Sequence, residues 1–196
     1  MNSGTLQRRD VVGAILTLRK PNLLVVGGLG SSSWDIAATD DNHQDFCMIG
    51  GMGLAVPVGL GLAGARPENR VLVITGDGDM LMGMGSLATV AQVQPRNLII
   101  VVLDNEVFGE TGGQPTHTAG VTDLAAIAKG AGIAVTGTIR DNTALTEAVP
   151  LIHEAEGPLF YVVKISADLP ETVYPPLDGP FAKDRFRTAV LGGANA

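Results

Sequence analysis

The sequence predicts an α/β protein, a three-layer α/β/α arrangement around a mostly parallel central sheet. Continuous apolar runs rich in Val, Ile and Leu lie at 23–26, 71–75, 98–103 and 159–165. Runs with no polar alternation suit strands covered on both faces. Between them lie stretches with helical spacing, and that alternation is the pattern of parallel sheets. Several runs stop at glycine or polar clusters, among them Gly76-Asp77-Gly78 and Asp104-Asn105. Such clusters mark the carboxyl ends of strands, where ligands of these sheets sit.

Residues 6–18 carry Val11, Val12, Ile15, Leu16 and Leu18 at the spacing of an amphipathic first helix, which Pro21 ends. The strand 23–26 runs into Gly27-Gly28-Leu29-Gly30-Ser31-Ser32-Ser33, and a helix starts near Trp34. This is either a phosphate cradle or a plain turn with a serine N-cap. A short strand at 46–49 ends at Gly50-Gly51-Met52-Gly53, and a helix over 54–65 packs closely through Gly59, Gly61 and Gly64. Residues 46–65 hold no charge and are long enough to span a bilayer. Their six glycines and Pro57 favour a strand, a turn and a buried helix instead.

The strand 71–75 leads into one helix over 80–93, then the strand 98–103. Residues 123–131 form a helix, 133–136 a strand, 143–155 a helix and 159–165 a closing strand. Residues 168–180 are Pro-rich and irregular, and 181–191 form a last helix. No repeat, linker or charge block divides the chain. It reads as a single domain over 1–196 with a Pro-rich C-terminal extension from about 168.

A hydrophobic fraction of 45% with 17% charged residues excludes a disordered tail. The net charge of −7 gives no basic footprint for nucleic acid. One cysteine, Cys47, permits no internal disulfide, and MNSGTLQRRD has no apolar signal core. A cytoplasmic protein with no membrane attachment is the expectation.

The polar strand ends carry the chemistry. Asp77 and Asn105 end strands that would face one crevice, and both offer hard oxygen. A carboxylate, an amide oxygen and a main-chain carbonyl suit Mg²⁺, which completes its shell with water and phosphate. Gly76 and Gly78 let the backbone approach a phosphate closely. The helix start near Asp79 and Met80 presents free N–H groups to an anion. The bland alternative is a Gly-Asp-Gly turn and an unrelated asparagine.

The spacing decides between them. Residues 79–104, 26 in all, separate Gly78 from Asn105. Leu60-Gly61, Pro67, Leu72 and Ile74 lie upstream in order. Together these resemble the thiamine diphosphate motif. The resemblance implies thiamine diphosphate and Mg²⁺ as cofactors, with the metal held by Asp77, Asn105 and the main-chain oxygen of Val107. It implies diphosphate contacts at Gly30, Ser32, Ser33, Gly76, Asp77, Gly78, Asp79 and Met80, and an active-site loop through Val107, Phe108, Gly109, Glu110 and Thr111. Gly50-Gly51-Met52 resembles the segment that meets the aminopyrimidine. There the Gly50 carbonyl would accept from its amino group, and the Met52 side chain would wedge beneath the cofactor. His117, in the loop, is a candidate for substrate contact, whereas His43 and His153 look like ordinary exposed residues. Asp79 departs from the family, which usually has a small residue there; an acid beside a diphosphate must turn away or cap the helix.

The chain resembles the diphosphate-binding half of these enzymes. The other half grips the pyrimidine and supplies an activating glutamate, for which this chain has no room. Glu106 and Glu110 lie at the metal end. The resemblance therefore implies a pyrimidine-binding partner subunit that supplies the catalytic glutamate, in a hetero-oligomer such as α2β2 or larger. The run DNEVFGETGGQPTHT and Arg185-Phe186-Arg187 are similar to the family of sulfopyruvate decarboxylase β subunits and phosphonopyruvate decarboxylase. That implies non-oxidative decarboxylation of a small 2-oxo acid to an aldehyde. Trp34 stands where these relatives tend to carry a basic residue, which suggests a less charged substrate. Three alternatives remain: a subunit of an acetolactate-synthase-like carboligase, a non-catalytic thiamine diphosphate-binding module, and a mononucleotide-binding Rossmann domain. Ser33 breaks the glycine pattern that the last would need.

Overall fold

The computed structural model describes residues 5–192; residues 1–4 and 193–196, the ends of the expected 1–196 domain, lie outside them. Each apolar run forms a strand. In chain order these are β1 (Leu23–Gly27), β2 (Asp45–Cys47), β3 (Arg70–Gly76), β4 (Leu98–Asp104), β5 (Val107–Phe108), β6 (Gln114–Pro115), β7 (Val135–Ile139) and β8 (Leu159–Lys164). The helices are α1 (Arg8–Leu16), α2 (Ser31–Thr39), α3 (Ala55–Ala65), α4 (Asp77–Met82), α5 (Ser86–Val93), α6 (Leu124–Ala131), α7 (Asn142–Glu154) and α8 (Gly179–Leu191). The main sheet has the order β2-β1-β3-β4-β8-β7, and every neighbouring pair is parallel. β5 and β6 form a separate small antiparallel hairpin.

All seven residues of β4 and all five of β1 are buried, because helices cover both faces. One face packs Val11, Ile15, Ile36, Leu145 and Ile152, from α1, α2 and α7. The other packs Val56, Met80, Val90 and Ala128, from α3, α4, α5 and α6. The chain leaves β1 in opposite directions along the sheet, toward β2 and toward β3. The crevice at the carboxyl ends near that reversal is the usual ligand position in such folds.

Local corrections have local causes. The helix expected over 80–93 is two, broken at residues 83–85. A β-carbon at Gly83 would collide with the Gly53 carbonyl, so the 50–53 turn presses on the junction and the apolar period cannot continue as one rod. Of the three glycines in α3, only Gly59 lies against the sheet, where a side chain would strike Val73. Gly61 and Gly64 meet nothing and are exposed. The strand expected over 133–136 is displaced to Val135–Ile139, at the sheet edge, and Ile133 before it is buried core. His153 is buried as well, its Nε2 lying 2.8 Å from the Ile15 carbonyl oxygen. The uncharged stretch 46–65 folds as the end of β2, a glycine turn and α3. Among the described residues no helix is long and apolar enough to cross a membrane.

Candidate active site

A cleft of about 210 Å³ opens at the carboxyl ends of β1, β3 and β4. Its walls include Ser32, Met52, Gly76, Asp77, Gly78, Asp79, Asn105, Val107, Phe108, Gly109, Glu110 and Thr111. The topology brings these together from four separate segments. Asp77 opens α4 directly after β3, and Asn105 follows β4 on the adjacent strand. Their strand registers pair Gly76 with Leu103, so the two side chains leave the sheet edge as neighbours.

Glu106 adopts a left-handed backbone (φ 65°), a rare state for a non-glycine residue. This turn folds the chain back so that Asn105 and the Val107 carbonyl face the same point. In one orientation of the Asn105 amide, its Oδ1 lies 2.9 Å from the Val107 oxygen and 3.1 Å from Asp77 Oδ1. Turned by 180°, its NH₂ donates to both oxygens instead. Three facing oxygens repel unless a donor or a cation joins them. Octahedral Mg²⁺, with ligands at about 2.1 Å, holds adjacent oxygens about 3.0 Å apart. The separations match that geometry and match equally the hydrogen bonds of the turned amide, so the donor set can accept the ion once the amide oxygen faces inward. Among the described residues no three His, Cys, Asp or Glu side chains cluster to hold a metal. A metal at this point would find the Asp77 carboxylate together with amide and main-chain oxygens.

Asp77 is only 2% exposed. Burial pushes its carboxyl above the usual carboxylate range; a hydrogen bond from Thr116 opposes this, and the neighbouring Asp104 charge adds to it. Thr116 Oγ1 donates to Asp77 Oδ2 at 2.5 Å. Thr118 Oγ1 lies 2.7 Å from Asp104 Oδ1 and 3.1 Å from Asp77 Oδ2. One hydroxyl proton serves one acceptor, and the shorter contact marks Asp104. The far oxygen of Asp104 meets Lys164 Nζ at 2.7 Å, and Lys164 also pairs with Glu106 at 2.6 Å. A chain of hydroxyls and charges thus holds Asp77 in place and neutralises the acid behind it.

Asp79 is the departure that needed an explanation. Its carboxylate accepts hydrogen bonds from Thr75 Oγ1 and from the Gly53 N–H. It ties the end of β3 to the Met52 turn, and so turns away from the space above Gly78. Gly51 and Gly53 take left-handed φ values of 81° and 85°, which shape that turn at little steric cost. Gly78 is required by crowding, because a side chain there would meet the Phe108 ring and approach Met52 Cε. The half-buried Met52 side chain therefore stands beside the Gly-Asp-Gly turn. Gly50 and Gly51 are exposed next to it.

Not every expected residue borders the cleft. Ser33 is buried, donating to the Gly28 carbonyl at 2.8 Å. Met80 is core, 1% exposed. His117 is exposed and outside the walls, since Thr116 and Thr118 on either side of it turn inward. Gly30, at φ 77°, holds the entry to α2, where the Ser31 N–H donates to the Glu110 carboxylate at 3.1 Å. Trp34 meets Tyr174 edge-on at 5.7 Å and is not among the residues that line this cleft. Arg185, on α8, pairs with Asp41 between α2 and β2, outside the cleft.

Sequence reasoning missed Thr116, Thr118, Asp104, Lys164 and Arg8. Thr116 precedes and Thr118 lies within a 3-10 turn over His117–Ala119, so no strand-like alternation in the sequence marks them as a pair. The salt bridge from Arg8 Nε to Asp35 Oδ2, at 2.6 Å, joins residues 27 apart and leaves no local pattern.

Residues 28–163 match the family model described as thiamine pyrophosphate enzyme, C-terminal TPP binding domain. Sulfopyruvate decarboxylase subunit beta of Methanocaldococcus jannaschii is 41% identical over 127 residues, covering 65% of this chain and 67% of that protein. Phosphonopyruvate decarboxylase of Streptomyces viridochromogenes is 42% identical over 134 residues, covering 68% of this chain and 33% of that protein. A solved structure from Mycobacterium smegmatis, assigned as a thiamin diphosphate-dependent enzyme, superposes with a TM-score of 0.72 at 22% identity. It covers 84% of this chain and 32% of its own, and shows the shared fold. The chain belongs to the thiamine pyrophosphate enzymes, through their C-terminal TPP-binding domain.

Proposed function

We propose that this chain is the diphosphate- and Mg²⁺-binding subunit of a thiamine diphosphate-dependent 2-oxo acid decarboxylase, a carboxy-lyase of the sulfopyruvate/phosphonopyruvate decarboxylase type. The observation that carries this is the meeting of Asp77, Asn105 and the Val107 carbonyl in one cleft at the carboxyl ends of β3 and β4. Bound there, thiamine diphosphate supplies the carbon nucleophile and the electron sink that decarboxylation requires. Asp77, Asn105 and the Val107 carbonyl hold the metal. Thr116 fixes the carboxylate, Thr118 holds the Asp104 carboxylate behind it, and Ser32 and the Gly76–Gly78 backbone position the phosphates.

Met52 orients the reacting ring by filling the space under it. Met52→Ala should slow exchange of the thiazolium C2 proton, read by NMR, more than it weakens cofactor affinity. Equal losses would make Met52 a packing residue only. Glu110 occupies the start of α2, where an arriving phosphate would compete with it. Glu110→Gln should tighten Mg²⁺-thiamine diphosphate binding roughly two- to fivefold in calorimetry; a loss of affinity would show that Glu110 itself holds the cofactor.

A pyrimidine-binding partner subunit supplies the activating glutamate. Relatives of two lengths favour this, since this chain spans two thirds of a protein named as a subunit and one third of phosphonopyruvate decarboxylase. The surface beside the Met52 turn suits such a partner: an apolar hollow carries Leu54, Pro57, Leu60 and Met82, the last 68% exposed. We place the assembly at α2β2 or larger, in the cytoplasm. The test is to co-purify the complex from its native source and screen 2-oxo acids for CO₂ release and aldehyde. A hydroxyketone product would indicate the carboligase; no CO₂ from any 2-oxo acid would contradict the proposal.

A further inference from the structure

We propose that Arg8 is an anion-binding residue of the cleft, whose guanidinium takes the terminal phosphate of the cofactor. This rests on the thiamine diphosphate reading above. Arg8 lies in the first turn of α1 and is 4% exposed, yet it forms part of the cleft wall. Its Nε donates to Asp35 Oδ2 at 2.6 Å, while Arg9 approaches the other oxygen of Asp35 at 3.6 Å. Nη1 and Nη2 make no hydrogen bond among the described residues. A guanidinium offers five N–H donors in a rigid fork, and a buried one needs acceptors for them. One acceptor is supplied from behind by Asp35. The residue itself lines the cleft.

Charge points the same way. Among the described residues the cleft walls include Asp77, Glu110 and Asp79, the last with its carboxylate held by Thr75 and Gly53, and Arg8 is the one cation. A diphosphate carries more negative charge than one Mg²⁺ cancels, so a fixed cation at its far end is favourable. Arg8 shares its wall with Ser31 and Ser32 at the start of α2, and Asp35 anchors it from the next turn of that helix. Met52, at the reacting end, comes from a different segment beside Gly78. The fork thus stands at the phosphate end of the cleft. Asp35 acts through Arg8, as a positioning residue.

The test uses this chain in complex with its partner subunit. The complex is titrated calorimetrically with thiamine diphosphate and with thiamine monophosphate at saturating Mg²⁺. Arg8→Gln should weaken thiamine diphosphate binding about 10- to 100-fold while leaving thiamine monophosphate affinity unchanged. Arg8→Lys should recover part of the loss, since it keeps the charge without the fork. Arg8→Gln leaves Asp35 buried and unpaired. The double variant Arg8→Gln/Asp35→Asn therefore serves beside it, with thermal melting to establish its fold. Equal losses for both ligands, or wild-type diphosphate affinity in the folded double variant, would overturn the assignment. A wild-type complex that ignores thiamine diphosphate would contradict the proposed function as well. Tight wild-type binding that survives Arg8→Gln would overturn the role of Arg8 alone.

Discussion

Asp77→Ala should abolish Mg²⁺-dependent binding of thiamine diphosphate, weakening it roughly a hundredfold or more in calorimetry. Outer partners of a metal ligand typically contribute one to two decades of affinity, and Asp77 is the only carboxylate in the proposed set. The loss should not come from unfolding. Asp77 is buried, its carboxyl is pushed up by that burial, and a second acid, Asp104, lies behind it. Removing such a group relieves a desolvated charge, so the melting temperature without cofactor should stay level or rise. Asp77→Asn keeps the shape and the contacts to Thr116 while removing the charge, and should lose metal dependence to a similar degree. Unchanged affinity in a folded Asp77→Ala variant would remove the metal site from this cleft.

The lone chain should release no CO₂ from any 2-oxo acid above background, and activity should appear on adding the partner subunit. A positioned acid or base contributes roughly 10²–10⁴-fold, and here that glutamate has no candidate in the cleft. Glu110 reaches the start of α2, and Glu106 is engaged by Lys164; both stand at the metal end. The measurement is a titration of partner into a fixed amount of this chain, followed by CO₂ release. Turnover should saturate at a defined ratio. Full turnover by the isolated chain would refute the division of labour.

Burial explains which features could be read in advance. β1, β3 and β4 were legible because both faces are covered, which leaves an unbroken apolar run with polar ends. Asp77 and Asn105 stood out because strand ends and spacing are properties of the chain itself. The rest depends on contacts that the sequence does not display. Helical periodicity runs through Gly83 and Gly85, and only the Gly53 backbone pressing on Gly83 divides α4 from α5. Met80 looked like a phosphate contact because it follows Gly-Asp-Gly, but the first turn of α4 rotates it into the core. His153 looked exposed until α7 packed against α1. Nothing in the sequence singles out Arg8, whose pairing with Asp35, a helix away, accompanies its place in the cleft wall. The acid at Asp79 looked incompatible with a diphosphate, and only the turn at Gly53 shows where it points.

The most direct measurement is a structure of the complex grown with thiamine diphosphate and Mn²⁺, with an anomalous difference map at the manganese edge. The peak should lie between Asp77, Asn105 and the Val107 carbonyl oxygen, at about 2.1–2.2 Å from each, with the diphosphate beside it. A manganese peak elsewhere, or cofactor density away from these three oxygens, would contradict the assignment of this cleft as the metal and diphosphate site.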